Sequence, residues 1–207
     1  MKRPLDIVLS VIGLILLSPV MLIVAILIRI QLGSPVLFRQ VRPGRDAKPF
    51  TILKFRSMFP ARPGTEHIDT DSERTPKLGL WIRKLSIDEF PQLINVLRGD
   101  MSLVGPRPLR LEYVARYNAE QRRRLEVLPG VTGWAQVKGR NTLTWEQKFE
   151  LDVWYVDHVG FWLDFRIILM TVWRLIRPSG IAMEGTSSMP NFLGTGRQEE
   201  PPAKPPA

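Results

Sequence analysis

The chain has 207 residues, of which 29 are Lys or Arg and 20 are Asp or Glu, so its formal net charge is +9. This length is typical of one domain. With 44% hydrophobic and 24% charged residues, the composition excludes long disorder, collagen-like repeats and a bundle of many membrane spans. The absence of cysteine excludes a disulfide scaffold, a thiolate metal site and a cysteine nucleophile.

Most of the positive charge lies in the N-terminal part of the chain. The first 60 residues contain nine Lys or Arg, but only Asp6 and Asp46 as acidic residues. Such a surplus could bind nucleic acid or anionic lipid. Because it flanks a long apolar segment, we expect membrane lipid head groups as its partner and no nucleic acid.

The apolar segment Ile7–Ile28 contains no charged residue. As a helix it would be about 33 Å long, which is enough to cross a bilayer. Ser18 and Pro19 lie in its middle, where a proline removes one backbone hydrogen bond and a serine hydroxyl can satisfy a freed backbone group. We therefore expect the helix to be broken at this pair.

Basic residues flank the apolar segment on both sides, with Lys2 and Arg3 before it and Arg29 after it. A straight span would put one basic flank on the far side of the membrane, whereas a helix broken at Ser18-Pro19 can return to the leaflet that it entered. The pattern favours a re-entrant membrane helix over residues 1–33. The alternatives are a kinked single span and an uncleaved signal anchor. A cleavable signal peptide fits poorly, because the apolar segment is too long for one.

The remaining sequence predicts a mainly helical α+β fold with a small β-hairpin. Apolar residues on both sides of a Pro43-Gly44-Arg45-Asp46 turn predict the hairpin over Ser34–Ser57. Thr144 and Gln147 have the spacing of a helix capping box. Residues 34–188 are expected to form one interfacial domain, followed by a Pro-rich disordered tail over residues 189–207. Helices are expected at Leu80–Leu85, Glu89–Leu97, Leu111–Val127, Thr144–Val159 and Leu163–Ile176.

The last of these helices is amphipathic. Arg166, Arg174 and Arg177 fall on one side of it and apolar residues cover most of the rest, so it could lie in the plane of the membrane interface. An ordinary core helix is the alternative. Asp164 interrupts its apolar side, either as an N-cap or as a group that reaches inward to an arginine or a metal.

Two adjacent carboxylates, Asp88 and Glu89, mark the most informative stretch. Asp88 is a suitable N-cap for the following helix, and Glu89 and Pro91 suit its first turn. Alternatively, because neighbouring side chains on a helix point about 100° apart, the two carboxylates could divide two functions, one as a nucleophile and one as a metal ligand. Arg83 lies just upstream, and a helix N-terminus also favours phosphate.

Two further segments present an arginine on a restrained backbone. In Gly105-Pro106-Arg107-Pro108, Pro106 and Pro108 fix φ on both sides of Arg107, and the glycine permits a close approach. An arginine held in this way suits phosphate or the edge of a base, and a plain structural turn is the alternative. Arg140 follows Gly139 in a second glycine-containing segment.

Together these motifs resemble those of the bacterial sugar transferases, the monotopic phosphoglycosyl transferases. The resemblance covers Lys2 to Leu175, and no single motif carries it. The chain is similar to the smallest members of that family, and most similar to the enzymes that start bacterial N-glycan assembly. The motifs are Lys2-Arg3-x-x-Asp6, Ser18-Pro19, Arg42-Pro43-Gly44, Lys54-Phe55-Arg56-Ser57-Met58, Asp88-Glu89, Gly99-Asp100-Met101-Ser102, Gly105-Pro106-Arg107-Pro108 and Pro129-Gly130-x-Thr132-Gly133-Trp134-Ala135-Gln136-Val137.

The resemblance implies an enzyme that moves sugar 1-phosphate from a UDP-sugar to polyprenol (undecaprenyl) phosphate and releases UMP, in the first membrane step of glycoconjugate assembly. It implies that Asp88 forms a covalent phosphosugar intermediate in a ping-pong mechanism, and that Glu89, with Asp88, holds Mg²⁺. It also implies substrate contacts from Arg83, Lys54, Arg140 and the Pro106-Arg107-Pro108 segment. An N-acetylated amino sugar is the expected donor class.

The resemblance further implies a monotopic protein of the bacterial inner membrane, with residues 34–188 as a catalytic domain on the cytoplasmic face. Two alternatives stay open. One is a non-catalytic adaptor that binds anionic lipid at the membrane surface, and the other is an enzyme in which the acceptor attacks the UDP-sugar directly with Asp88 as the base. The sugar, the pathway and the oligomeric state, a homodimer included, are not fixed by the sequence.

Overall fold

The computed structural model describes residues 2–60, 71–139, 143–176 and 191–195. The described part is mainly helical with two small sheets, which confirms the expected class. The helices are α1 (Lys2–Gln31), α2 (Asp71–Arg74), α3 (Lys77–Lys84), α4 (Gln92–Arg98), α5 (Ala119–Arg122), α6 (Trp134–Lys138), α7 (Trp145–Asp157) and α8 (Phe161–Ile176). The strands are β1 (Leu37–Pro43), β2 (Pro49–Phe55), β3 (Ser102–Val104) and β4 (Gly130–Thr132). Single turns of 3-10 helix lie at Arg45–Ala47, Ile87–Glu89 and Arg123–Leu125, with a longer one at Leu111–Arg116.

The predicted β-hairpin is confirmed. Strands β1 and β2 are antiparallel, and their register runs from Leu37 opposite Phe55 to Pro43 opposite Pro49. The turn between them lies where the Pro-Gly-Arg-Asp sequence predicts it. Ile52, Leu53 and Phe55 are buried, so the hairpin packs through its second strand onto the rest of the domain.

Helix α1 continues through Ser18 and Pro19, so the expected break in the helix is not confirmed. Pro19 has no N–H to donate to the carbonyl of Ile15, four residues earlier. The Ser18 hydroxyl donates to that same carbonyl at 2.8 Å, as the sequence predicted for a freed backbone group. The serine therefore satisfies the acceptor that the proline leaves without its usual partner. Of the described helices, α1 is the one long and apolar enough to cross a membrane by length and composition.

The N-terminal end of α1 is bonded to three separate elements of the domain. Lys2 forms an ion pair with Asp164 of α8. Arg3 donates to the carbonyl of Leu97 at 2.9 Å, at the end of α4. Asp6 accepts a hydrogen bond from the backbone N–H of Leu103 in β3 at 3.1 Å. Lys2 and Arg3, two of the basic residues that the sequence associated with lipid head groups, thus contact protein groups.

The C-terminal end of α1 packs onto the same domain. Val24 and Ile28 join a buried cluster with Phe55 of β2 and Ile82 of α3. Between the two contact regions the helix is largely uncovered, and Leu16 is 72% exposed. Both ends of the apolar segment therefore touch one domain, whereas the side chains around its middle face outward.

The predicted helix over Leu111–Val127 is wrong. In its place lie a 3-10 helix at Leu111–Arg116, the short helix α5 and a further 3-10 turn. Asn118 accepts from the N–H of Gln121 at 2.8 Å, while its own N–H donates to the Gln121 side chain at 3.1 Å. This capping box requires extended backbone at Asn118 and so ends one helical segment before the next begins. The other expected helices are present with shifted ends, and the capping box at Thr144 is confirmed.

Residues 191–195 contact the domain, although the sequence assigned them to the tail. The Phe192 ring is 2% exposed, and its centroid lies 4.9 Å from that of Phe149 and 5.8 Å from that of Tyr113. An apolar ring buried among other rings contributes to the core. Residues 189–190 and 196–207 of the expected tail lie outside the described residues.

Asn95 joins helix α4 to strand β2. Its side chain accepts from the N–H of Leu53 at 3.0 Å and donates to the carbonyl of Thr51 at 2.8 Å. The residue is fully buried, so these two backbone groups rely on it rather than on water. This connection sets the position of β2 relative to α4.

Replacing Asn95 should therefore destabilise the domain. We expect Asn95→Ala to lower the free energy of unfolding by about 1–3 kcal/mol, because a buried donor and a buried acceptor lose their partner. The melting temperature of the detergent-solubilised protein would measure this. The exposed Arg98 lies on the same helix, and Arg98→Gln should leave the melting temperature nearly unchanged. Equal melting temperatures for the two variants would contradict the assigned role of Asn95.

Candidate active site

Asp88 and Glu89 lie in a 3-10 turn rather than at the start of the following helix. The turn is Ile87–Glu89, and Ser86 before it has the left-handed conformation, with φ at 56°. Helix α4 begins after Pro91, which suits this position because a residue there needs no N–H partner. The interpretation of Asp88 as a helix N-cap is therefore wrong. The turn leaves both carboxylates available for contacts with other segments.

Two cations converge on the carboxylate pair. Lys54 Nζ lies 2.9 Å from Glu89 Oε1 and 3.9 Å from Asp88 Oδ2. Arg107 Nη2 lies 2.6 Å from the same Glu89 oxygen. Glu89 is thus held by two charge-assisted hydrogen bonds, whereas Asp88 makes a single, longer contact with Lys54. The structure brings together four of the residues that the sequence singled out.

The two carboxylates differ in their acidity. Burial, and after it the negative charge of Glu89, raises the pKa of Asp88 to about 6, although Lys54, Arg107 and Arg83 oppose this. Burial acts on Glu89 in the same direction, but the charges of Arg107 and Lys54 outweigh it and hold the pKa of Glu89 well below its usual range. Glu89 is therefore a fixed anion, and Asp88 is the more basic of the two.

Lys54 reaches the carboxylate pair from the penultimate position of β2. Its side chain alternates with those of its buried neighbours Leu53 and Phe55, so it points to the opposite face of the hairpin. The Lys54 side chain is 20% exposed, and its ammonium group contacts both carboxylates. The hairpin thus supplies one cation to the site.

The Pro106-Arg107-Pro108 segment is held by close backbone packing. A Cβ at Gly105 would lie 2.4 Å from the Leu128 carbonyl oxygen, and one at Gly130 would lie 2.1 Å from the Gly105 nitrogen. Strands β3 and β4 are parallel here, with Ser102 opposite Gly130. Larger residues at either glycine would push these strands apart. The close approach predicted at Gly105 is confirmed.

A buried ion pair supports the backbone of Arg107. Arg124 donates to the Arg107 carbonyl at 2.7 Å and to Asp152 Oδ2 at 2.6 Å. Arg124 and Asp152 are each 3% exposed. No sequence pattern indicated this pair, because its members are 28 residues apart and belong to no recognisable motif. Its effect is to fix the loop from which the Arg107 guanidinium reaches Glu89.

Arg83 acts on the site through its charge. Arg83 lies in the last turn of α3, where it contacts Met58 Sδ at 3.5 Å, and its charge lowers the pKa of Asp88. Arg140 lies outside the described residues. Within the described part of the chain, no group of three His, Cys, Asp or Glu side chains is arranged to hold a metal ion.

Comparison with known proteins identifies the class of this arrangement. Residues 1–178 match the family model described as bacterial sugar transferase. The match covers most of the chain, so the protein belongs to the bacterial sugar transferase family.

Several curated proteins are similar to the chain. An uncharacterized sugar transferase of Bacillus subtilis, EpsL, is 48% identical over 95% of this chain and 97% of its own length. The UDP-glucose:undecaprenyl-phosphate glucose-1-phosphate transferase of Escherichia coli is 39% identical over 84% of this chain, which spans 40% of that enzyme. A UDP-N-acetylgalactosamine-undecaprenyl-phosphate N-acetylgalactosaminephosphotransferase of Aeromonas hydrophila is 38% identical over 86% of this chain and 44% of its own length. The chain thus spans less than half of these two named transferases.

The Arg124–Asp152 pair provides a test of how the site is supported. We expect Arg124→Gln to lower the free energy of unfolding by about 3–5 kcal/mol, because it leaves a buried carboxylate without its partner. The double variant Arg124→Met/Asp152→Leu should recover much of this loss, since it removes both charges. Thermal melting of the purified variants would measure both effects.

The neighbouring Arg123 gives a matched control. It pairs at the surface with Asp157 and Glu120, so Arg123→Gln should change the melting temperature little. If Arg123→Gln and Arg124→Gln were equally destabilising, burial would not be the reason for the importance of Arg124.

Proposed function

We propose that the protein transfers sugar 1-phosphate from a UDP-sugar to undecaprenyl phosphate and releases UMP. One observation carries the proposal: in a chain of this family, Asp88 lies half-buried beside a glutamate that Lys54 and Arg107 neutralise. Such a site can accept an anionic diphosphate and present one carboxylate to it. The names of the relatives support the reaction class.

The proposed reaction has two steps. In the first, a carboxylate oxygen of Asp88 attacks the phosphorus that bears the sugar, and the bond from this phosphorus to the bridging oxygen breaks, so UMP leaves with that electron pair. In the second, a phosphate oxygen of undecaprenyl phosphate attacks the same phosphorus and restores the Asp88 carboxylate. The more basic member of the carboxylate pair is thus the nucleophile. Arg107 and Lys54 would stabilise the negative charge that develops on the phosphoryl oxygens.

Mg²⁺ fits the donor set of this site. Mg²⁺ is commonly bound through one or two carboxylates together with substrate phosphates and water, rather than by a cage of protein ligands. Asp88 and Glu89 supply two carboxylates, and the substrate would supply the phosphates. When bound, the ion would neutralise charge on the diphosphate. Arg83 would add positive charge on the side of α3.

The contacts of α1 support a monotopic arrangement on one face of the membrane. Its two ends touch one domain, Asp6 on β3 and Ile28 on α3, so they would not emerge on opposite faces of a bilayer. Exposed apolar side chains on α8, such as Trp162 and Trp173, are suited to the lipid interface. We propose that both ends of α1 lie at the cytoplasmic face of the inner membrane, with residues 34–188 on that side.

The donor sugar is proposed to be an N-acetylated amino sugar. The relatives' names include both glucose and N-acetylgalactosamine, so members of the family use both plain sugars and N-acetylated amino sugars. A panel of UDP-sugars with undecaprenyl phosphate and Mg²⁺, followed by release of UMP, would identify the donor. Faster release from a donor without an N-acetyl group would contradict this part of the proposal.

Removal of the nucleophile should abolish turnover without unfolding the protein. We expect Asp88→Asn to reduce UMP release by at least about 10³-fold, because the amide cannot attack phosphorus, while the melting temperature stays close to that of the wild type. Asp46→Asn at the exposed tip of the hairpin is the control and should keep full activity. Retained turnover in Asp88→Asn would exclude the nucleophile role. If even the wild type released no UMP from any donor, the non-catalytic adaptor would be the better explanation.

The covalent step can be tested separately from the overall reaction. Incubation with UDP-sugar in the absence of undecaprenyl phosphate should release about one UMP per protein and add one phosphosugar to the peptide that contains Asp88. Mass spectrometry of the digested protein would detect the added mass. UMP release that requires the acceptor from the start would instead indicate direct attack, with Asp88 as the base.

The proposed topology predicts labelling from one side. Pro4 and Gln31 are exposed near the two ends of α1, and the chain contains no cysteine. We expect cysteines introduced singly at these positions to react with a membrane-impermeant maleimide in inside-out vesicles and to be protected in right-side-out vesicles. Opposite behaviour of the two positions would indicate a spanning helix.

A further inference from the structure

Two positively charged side chains meet over the ring of Trp134. Lys138 Nζ lies 4.5 Å from the centre of this ring, and the guanidinium carbon of Arg166 lies 5.8 Å from it. Both distances suit cation–π contacts. Within the described part of the chain, no carboxylate forms an ion pair with either of these side chains. The two charges therefore repel each other, and an anion bound between them would be favourable.

Trp134 gives these cations a fixed place on the surface. Its side chain is buried and belongs to the same core cluster as Val104, Val137 and Tyr155. Its ring also stacks on that of Trp154, with the centroids 5.1 Å apart and the planes at 23°. A ring packed in this way stays in position, so the cations that lie over it are held near each other.

Arg166 lies within the exposed apolar face of α8. Trp162 lies four residues before it, and Leu169 and Trp173 lie three and seven residues after it, so all three share its side of the helix. Trp162 is 77% exposed, and the other two are exposed as well. An arginine among apolar groups that contact lipid places its stem along them and its charged head at the level of the lipid head groups.

We propose that Lys138 and Arg166 bind the phosphate of an anionic phospholipid, with Trp134 beneath the two cations. The inference rests on the membrane location proposed above. Tryptophan side chains at a membrane surface lie at the level of the head groups, so a phosphate is available at the depth of the α8 face. A phospholipid with a net negative charge would balance the two cations, and its acyl chains would contact the apolar face. A zwitterionic lipid carries a cation of its own and would balance them less.

Undecaprenyl phosphate also carries a phosphate on an apolar chain, but the position of the site argues against this acceptor. Helices α6 and α8, which carry Lys138 and Arg166, pack against each other, whereas the carboxylate turn packs against β2 and α3. An acceptor must bring its phosphate to Asp88 to react. A phosphate held at α6 and α8 therefore fits a lipid of the surrounding bilayer better than a substrate.

A lipid bound at this site would also affect the position of α1. Asp164 lies on the buried side of α8 and forms an ion pair with Lys2 at the start of α1. A lipid phosphate at Arg166 would fix the depth of α8 from its outer side. The start of α1 would then be held at a matching depth through the ion pair.

The test measures lipid retention by the purified full-length protein in a neutral detergent, with native mass spectrometry as the readout. The wild type should retain one added phosphatidylglycerol molecule and should bind phosphatidylcholine at least about tenfold more weakly. Lys138→Gln/Arg166→Gln should weaken phosphatidylglycerol binding about tenfold or more. Arg122→Gln removes an exposed positive charge from α5, outside the site, and should bind like the wild type. Melting temperatures would verify that each variant is folded.

Two outcomes of this measurement would overturn the inference. One is equal retention of phosphatidylglycerol by the double variant and by Arg122→Gln. The other is equal retention of the two phospholipids by the wild type, since apolar contacts rather than charge would then explain the binding.

Steady-state kinetics in detergent without phospholipid test the acceptor as the source of the phosphate. The KM for undecaprenyl phosphate should be the same in the wild type and in the double variant. A tenfold rise in this KM with unchanged phosphatidylglycerol retention would assign the site to the acceptor instead. Lipid retention requires no turnover, so failure of the proposed function would be seen separately, as a wild type that releases no UMP from any donor.

Discussion

The structure depends on how two adjacent carboxylates are kept charged in a half-buried turn. Asp88 and Glu89 lose hydration and repel each other, and both effects favour protonation. Lys54 and Arg107 offset these effects by contacting Glu89 from two different segments. Three parts of the chain, the hairpin, the turn before α4 and the Pro-Arg-Pro segment, must therefore meet at one point. Much of the remaining architecture serves to hold them there.

Two buried polar groups hold these three parts in place. Asn95 bonds the backbone of β2 to α4, so Lys54 and the carboxylate turn keep a fixed relation. Arg124, held by Asp152, bonds the carbonyl of Arg107. These groups are fully buried and have few alternative partners, so each bond determines a position as well as adding stability. The reacting groups are thus held by residues that would not touch the substrate themselves.

The sequence predicted those features whose causes are local. The hairpin follows from a turn sequence between two apolar runs, and the Thr144 capping box from residues three apart. The role of Ser18 follows from the proline beside it. The helix over Leu111–Val127 was predicted wrongly because Asn118 and Gln121 form a competing local capping box.

For the candidate site, the sequence singled out Asp88, Glu89, Lys54 and Arg107, but as separate motifs. It could not show that one glutamate oxygen binds both cations, because these residues are distant in the chain. The roles of Asn95 and Arg124 were missed for the same reason: their partners, Leu53 and Arg107, lie 42 and 17 residues away. Asp88 and Glu89 lie in a 3-10 turn rather than at a capped helix start, and this depends on tertiary packing that the local sequence does not reveal.

The contact between Lys2 and Asp164 has a consequence for biosynthesis. The two residues are 162 positions apart, so the first helix leaves the ribosome long before its partner on α8 exists. Until then, Lys2 lacks its carboxylate partner and must stay hydrated, whereas the partners of Arg3 and Asp6, on α4 and β3, are made earlier. During synthesis the nascent apolar helix would thus lie at the bilayer surface with its charged N-terminal end in water. Synthesis of α8 would then add the Lys2–Asp164 ion pair to the contacts already made by Arg3 and Asp6.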